Sequence, residues 1–111
     1  MDAQQRVAAF VAEHEMDAPP AFRLLDLASE VGELAKDANE SSAYGANPDE
    51  VSVTPDEIGD ALFALLALAT SLDVDAEAAL DEALEKYERR LDDRGEMSSG
   101  EGRGDRSEGD R

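Results

Sequence analysis

The sequence predicts an all-α fold: a four-helix bundle followed by a disordered C-terminal tail. Three observations carry this. Four segments repeat apolar residues at three- and four-residue spacing, the period of a helix with one buried face. No segment shows the apolar–polar alternation of a half-buried strand. Turn-forming residues gather in the connections between the four segments and in the tail, so the helices lie close enough to bury their stripes against one another.

The first segment runs from Asp2 to Glu15 and carries a weak stripe of Val7, Phe10 and Val11, with Ala3 beside it. Asp17-Ala18-Pro19-Pro20 breaks it. The second runs from Phe22 to about Asn39, with Leu24, Leu25, Leu27, Ala28, Val31, Leu34, Ala35 and Ala38 forming a wide apolar face. A loop rich in turn formers follows, from Glu40 to Val53. Thr54-Pro55-Asp56-Glu57 is a strong helix start: Thr54 caps, Pro55 suits the first helical position, and Glu57 completes a capping box. This third helix runs to about Leu72 and is apolar nearly all round in its middle, as at a bundle centre or an oligomer interface. Asp73-Val74-Asp75 opens the last helix, expected to end near Asp92, with Leu80, Ala83, Leu84, Tyr87 and Leu91 as its stripe.

From Gly95 onward only Met97 is large and apolar. Such a segment buries too little surface to offset its ordering entropy. The expected organisation is therefore a helical domain over residues 1–94 and a disordered tail over 95–111. A domain of this size has a modest core, which self-association would reinforce.

The charge balance excludes some partners. The net charge is -18, with 28 acidic against 10 basic residues in 111. Nucleic-acid polymers need a basic footprint, and anionic membrane surfaces repel such a chain. The longest apolar run, Ala61 to Ala69, is far shorter than the roughly 20 residues of a membrane span. The N-terminus lacks the pattern of a signal peptide. No cysteine is present, which removes disulfides, thiol nucleophiles and thiolate metal sites. A soluble cytoplasmic protein is expected. With only Lys36 and Lys86 as lysines, the acidic surface is that expected of a salt-adapted, halophilic protein.

Against this background two short motifs stand out: Glu30-Val31-Gly32-Glu33 and Glu57-Ile58-Gly59-Asp60. Residues three apart share a helix face, so Glu30 projects with Glu33, and Glu57 with Asp60. Acids facing an apolar interior repel one another and are costly to desolvate. One or two hard divalent cations would neutralise four of them, and Mg2+ prefers such oxygen ligands. Gly32 and Gly59 occupy matching places, each at a helix-propensity cost of about 1 kcal/mol against alanine. Their repetition predicts close approach of the two helices. A single E-x-x-E means little here, since Glu82, Glu85 and Glu88 form such pairs on a face expected to be solvated.

The two motifs, with the Leu34-to-Asp56 gap between them, resemble the MazG-type all-α nucleotide pyrophosphohydrolases. The resemblance continues through Leu72-Asp73-Val74-Asp75 and Glu85-Lys86-Tyr87-Glu88-Arg89-Arg90, covering roughly Phe22 to Arg90. It implies the all-α NTP pyrophosphatase type of bundle, assembled as a homodimer or homotetramer. It implies hydrolysis of nucleoside triphosphates between the α and β phosphates, in nucleotide-pool housekeeping. It also implies catalytic Mg2+ held by Glu30, Glu33, Glu57 and Asp60. The sequence departs from many members at Ser29, where they carry a further acid.

A cation must hold the triphosphate. Lys86 and Arg90 share a face of the last helix, and Lys36 lies one turn past Glu33; these are the substrate-binding candidates. The lone histidine, His14, lies between Glu13 and Glu15 and is expected on the surface. Tyr44, in the loop before the second motif, is a candidate for a lid or base contact. The rival reading is a non-catalytic helical oligomerisation module whose acids form a salt-adapted surface.

Overall fold

The computed structural model describes residues 1–101, with side chains to residue 95. Among the described residues there are four α-helices and no strand. They are α1 (Ala3–Glu13), α2 (Pro20–Ser41), α3 (Pro55–Ser71) and α4 (Ala76–Glu101), with a short 3-10 turn at Pro48–Glu50. The all-α expectation and its four helices hold.

Local chemistry sets most helix starts. At α1, Asp2 accepts from the Gln5 amide at 2.8 Å while the Gln5 side chain accepts from the Asp2 amide at 2.9 Å, a reciprocal capping box. Pro19 and Pro20 do more than break the chain: Pro20 is the first residue of α2, where its missing N–H costs nothing. Thr54 caps α3 through its hydroxyl, which accepts from the Glu57 amide at 3.2 Å. Asp75 caps α4, accepting from the Glu77 and Ala78 amides.

Met1–Val74 forms one compact unit and the chain from Asp75 another. In the first, α3 packs against both α1 and α2. α1 crosses the C-terminal half of α3. Phe10 meets Phe63 edge-on at 6.1 Å, and the Gln4 side chain donates to Thr70 and to the Val74 carbonyl. α2 and α3 run antiparallel, so early residues of α2 share surroundings with late residues of α3. The buried apolar residues are Val11, Ala64, Leu66 and Ala67. This core is thin, and α3 keeps a second apolar face in the open: Ile58, Leu62, Leu65 and Leu72 are each about half exposed.

In the second unit, α4 repeats Leu80, Leu84, Tyr87 and Leu91 along one stripe. The helix passes the expected end at Asp92 and continues to Glu101, into the segment from Gly95 read as tail. Its last turns include Glu96 and Met97, both good helix formers. The remainder of that segment, 102–111, lies outside the described residues.

One expectation fails. Gly32 and Gly59 do not mark a close approach, because a Cβ at either would meet nothing within 4 Å. The small residues that α3 buries are Ala64 and Ala67, on the side turned toward its neighbours. Gly32 lies off the buried stripe of α2 and Gly59 off that of α3.

Candidate metal and active site

The antiparallel register crosses the two motifs. Glu30 of the first and Asp60 of the second line one cavity of about 300 Å³. Glu57 lies against Asp37 and within reach of the charge of Glu33. The four acids therefore fall into two halves, each drawing one acid from each motif. Among the described residues, no three acids or histidines stand ready as a closed metal cage.

The half built around Glu57 brings it near two further acids, Asp37 and Glu33. Contact of the Glu57 carboxyl with that of Asp37 raises its pKa above the ordinary 4.5. Loss of hydration and the charges of Asp37 and Glu33 push the same way, against a hydrogen bond from the Thr54 backbone that favours the charged form. Glu57 is half-buried, and its Oε1 is shielded from solvent without a hydrogen-bond partner. A shielded carboxylate oxygen lacking a donor, beside two more carboxylates, fits a cation as its missing partner. Of the capping box expected at Thr54 and Glu57, the Thr54 half is present, its hydroxyl accepting from the Glu57 amide.

The half built around Glu30 and Asp60 contains a cation of its own. Its cavity is walled by Met16, Arg23, Asp26, Phe63 and Ala64 as well as the two acids. Arg23 is buried, its Nη1 lies 3.8 Å from Asp26 Oδ2, and its Nη2 donates to the Met16 carbonyl.

The basic candidates are placed differently. Lys36 is exposed on α2. Lys86 and Arg90 belong to α4, where both lie over the Tyr87 ring, at 5.1 and 6.0 Å. His14 is exposed, its ring tilted against that of Phe10 at 4.3 Å. Tyr44 is exposed in a loop where Ala43, Tyr44 and Gly45 all adopt positive φ.

Two site residues escaped the sequence reading. Asp37 stands one turn past Glu33, a spacing that puts it on the same face. Arg23 stands four residues before Leu27 in line with the buried stripe of α2, and a cation on such a stripe was the signal to follow.

The model of the MazG nucleotide pyrophosphohydrolase domain matches residues 21–95. The uncharacterized protein YpjD of Bacillus subtilis (strain 168) is 40% identical over 80 residues, spanning 68% of this chain and 69% of YpjD. The crystal structure of YpjD, a proposed pyrophosphatase, superposes with a TM-score of 0.64 at 34% identity, covering 78% of this chain and 88% of that one. The chain belongs to the MazG nucleotide pyrophosphohydrolase family.

Proposed function

We propose that this MazG-family chain is a Mg2+-dependent hydrolase that cleaves nucleoside triphosphates to monophosphate and pyrophosphate. The observation that carries the reading is the shielded, partnerless Oε1 of Glu57 among the carboxylates of Glu33 and Asp37. Family membership supports the reaction class. Among metals, the all-oxygen donor set favours Mg2+ over softer ions.

In this reading Glu30, Glu33, Glu57 and Asp60 hold the metal. Held there, Mg2+ would polarise a phosphoryl oxygen and lower the pKa of a water bound to it. The acids also enforce an order: four bare carboxylates repel a triphosphate, so neutralisation precedes or accompanies substrate binding. A carboxylate not fully taken up by the metal would serve as the proton acceptor from the attacking water. Lys36, one turn past Glu33 on α2, is the cation of this unit assigned to the phosphates.

Self-association completes the proposal. A core with four buried apolar residues, beside a face of half-exposed Ile58, Leu62, Leu65 and Leu72, supports a homodimer or homotetramer closed over α3. Leu65→Glu is then expected to shift the protein to monomer in analytical ultracentrifugation.

The reaction is tested by product analysis on a panel of canonical and modified nucleoside triphosphates, with Mg2+ and high salt. Monophosphate and pyrophosphate are expected in equal amounts. Release of inorganic phosphate and a diphosphate instead would place the cut at the wrong bond and defeat the proposal.

A further inference from the structure

Arg23 is buried to 6% exposure, which is uncommon for a charged side chain unless the fold uses it. It lies between two walls. On one side it lines the cavity that holds Glu30 and Asp60; on the other it borders a void of about 40 Å³ beside Val11, Ala67 and Thr70. Its two guanidinium ends reach separate parts of the chain. Nη2 donates to the carbonyl of Met16 in the α1–α2 connection, and Nη1 pairs with Asp26 one turn along α2. Asp26 is itself largely exposed, at 61%, so the buried end of this pair is the arginine. The planar guanidinium suits this bridging, since its donors leave in fixed directions.

Met16 and Asp26 are both cavity wall. The connection between them turns sharply, with Glu15 at φ 53 and the Met16 amide bonded back to Val11. Arg23 therefore ties the connecting segment to α2 at the point where both face the acids.

We propose that Arg23 is a positioning residue for substrate: by holding Met16 and Asp26 it fixes the wall of the cavity containing Glu30 and Asp60. The inference rests on the pyrophosphohydrolase reading above. A wall that touches substrate away from the reacting bond contributes alike to the ground state and the transition state. Its loss therefore appears in KM rather than kcat.

The test combines steady-state kinetics with hydrogen exchange of the Met16, Asp17 and Ala18 amides, in wild type, Arg23→Gln, Arg23→Lys and Asp26→Asn. Loss of a charge-assisted tether predicts a KM about tenfold higher in Arg23→Gln, with kcat within about threefold of wild type. Exchange in the connection accelerates in the same variant. Arg23→Lys restores charge without the fork and gives an intermediate KM. Asp26→Asn keeps the Met16 bond, so its KM rises while exchange stays near wild type. If Arg23→Gln does not fold, the KM values of the lysine and asparagine variants decide. Unchanged KM in both, or a fall in kcat at constant KM, overturns the proposal. If wild type hydrolyses no nucleotide, the functional reading fails. The tether is then judged by exchange alone, and unchanged exchange in Arg23→Gln or Arg23→Lys overturns it.

Discussion

The two halves of the α2–α3 interface contain the same kinds of acid but solve their charge differently. Around Glu30 and Asp60 the fold supplies a guanidinium and an open cavity. Around Glu57 it supplies further carboxylates, from Asp37 and Glu33, against one backbone donor at Thr54, and leaves Oε1 shielded and partnerless. Repulsion of this kind costs stability unless something outside the chain relieves it. On the proposed function, the contrast places the demand for an external cation at Glu57 and assigns substrate positioning to the Arg23 side.

The sharpest way to break the comparison is to neutralise the crowded half. Glu57→Gln and Glu33→Gln are each expected to lower turnover on the order of a thousandfold, read as pyrophosphate release, because both remove charge from the proposed metal site. Glu57→Gln should at the same time raise the melting temperature of the metal-free protein, since it relieves the repulsion. A variant that melts lower without metal would remove the argument that Glu57 is strained.

A milder change sharpens the role of the residue the motif does not include. Asp37→Asn is expected to weaken Mg2+ binding about 10- to 100-fold, as loss of an outer partner of a metal ligand does, measured by isothermal titration calorimetry. Affinity equal to wild type would confine Asp37 to a surface role.

The pH dependence follows from the same contacts. A carboxyl whose pKa is raised on folding binds its proton more tightly in the folded state. Its stabilisation is fully present below the ordinary value of 4.5 and is lost as pH rises through the raised folded value. Metal-free protein should therefore lose stability as pH climbs from 4.5, and saturating Mg2+ should flatten that slope. Denaturant melts across pH 4 to 7, with and without metal, check the sign; a slope that rises with pH would contradict it.

The smallest effect is expected at the glycines. With open space at both positions, Gly32→Ala and Gly59→Ala should each stabilise the helix by about 1 kcal/mol, read by thermal melting. Destabilisation would indicate that a second chain approaches there.

What the sequence revealed depended on the range of the cause. The start of α3 was legible because Thr54, Pro55 and Glu57 act within one turn. The acids were legible as pairs because three-residue spacing is a property of one helix. How the pairs divide was not, because that depends on the register between α2 and α3. The glycines misled for the same reason: their matching places are real, but what faces them is set by the rotation of each helix about its axis. Arg23 and Asp37 gain their meaning only from residues distant in sequence, Asp60 and Glu57 among them.

The central claim is that the acids at the α2–α3 interface bind a divalent cation. It is tested most directly by calorimetric Mg2+ titration of wild type and Glu57→Gln at constant high ionic strength. The account predicts saturable binding by wild type that is lost or strongly weakened in the variant. It also predicts a matching rise in stability of about 2.7 kcal/mol when free Mg2+ reaches a hundred times Kd. Equal binding by both proteins, or none by either, would contradict it.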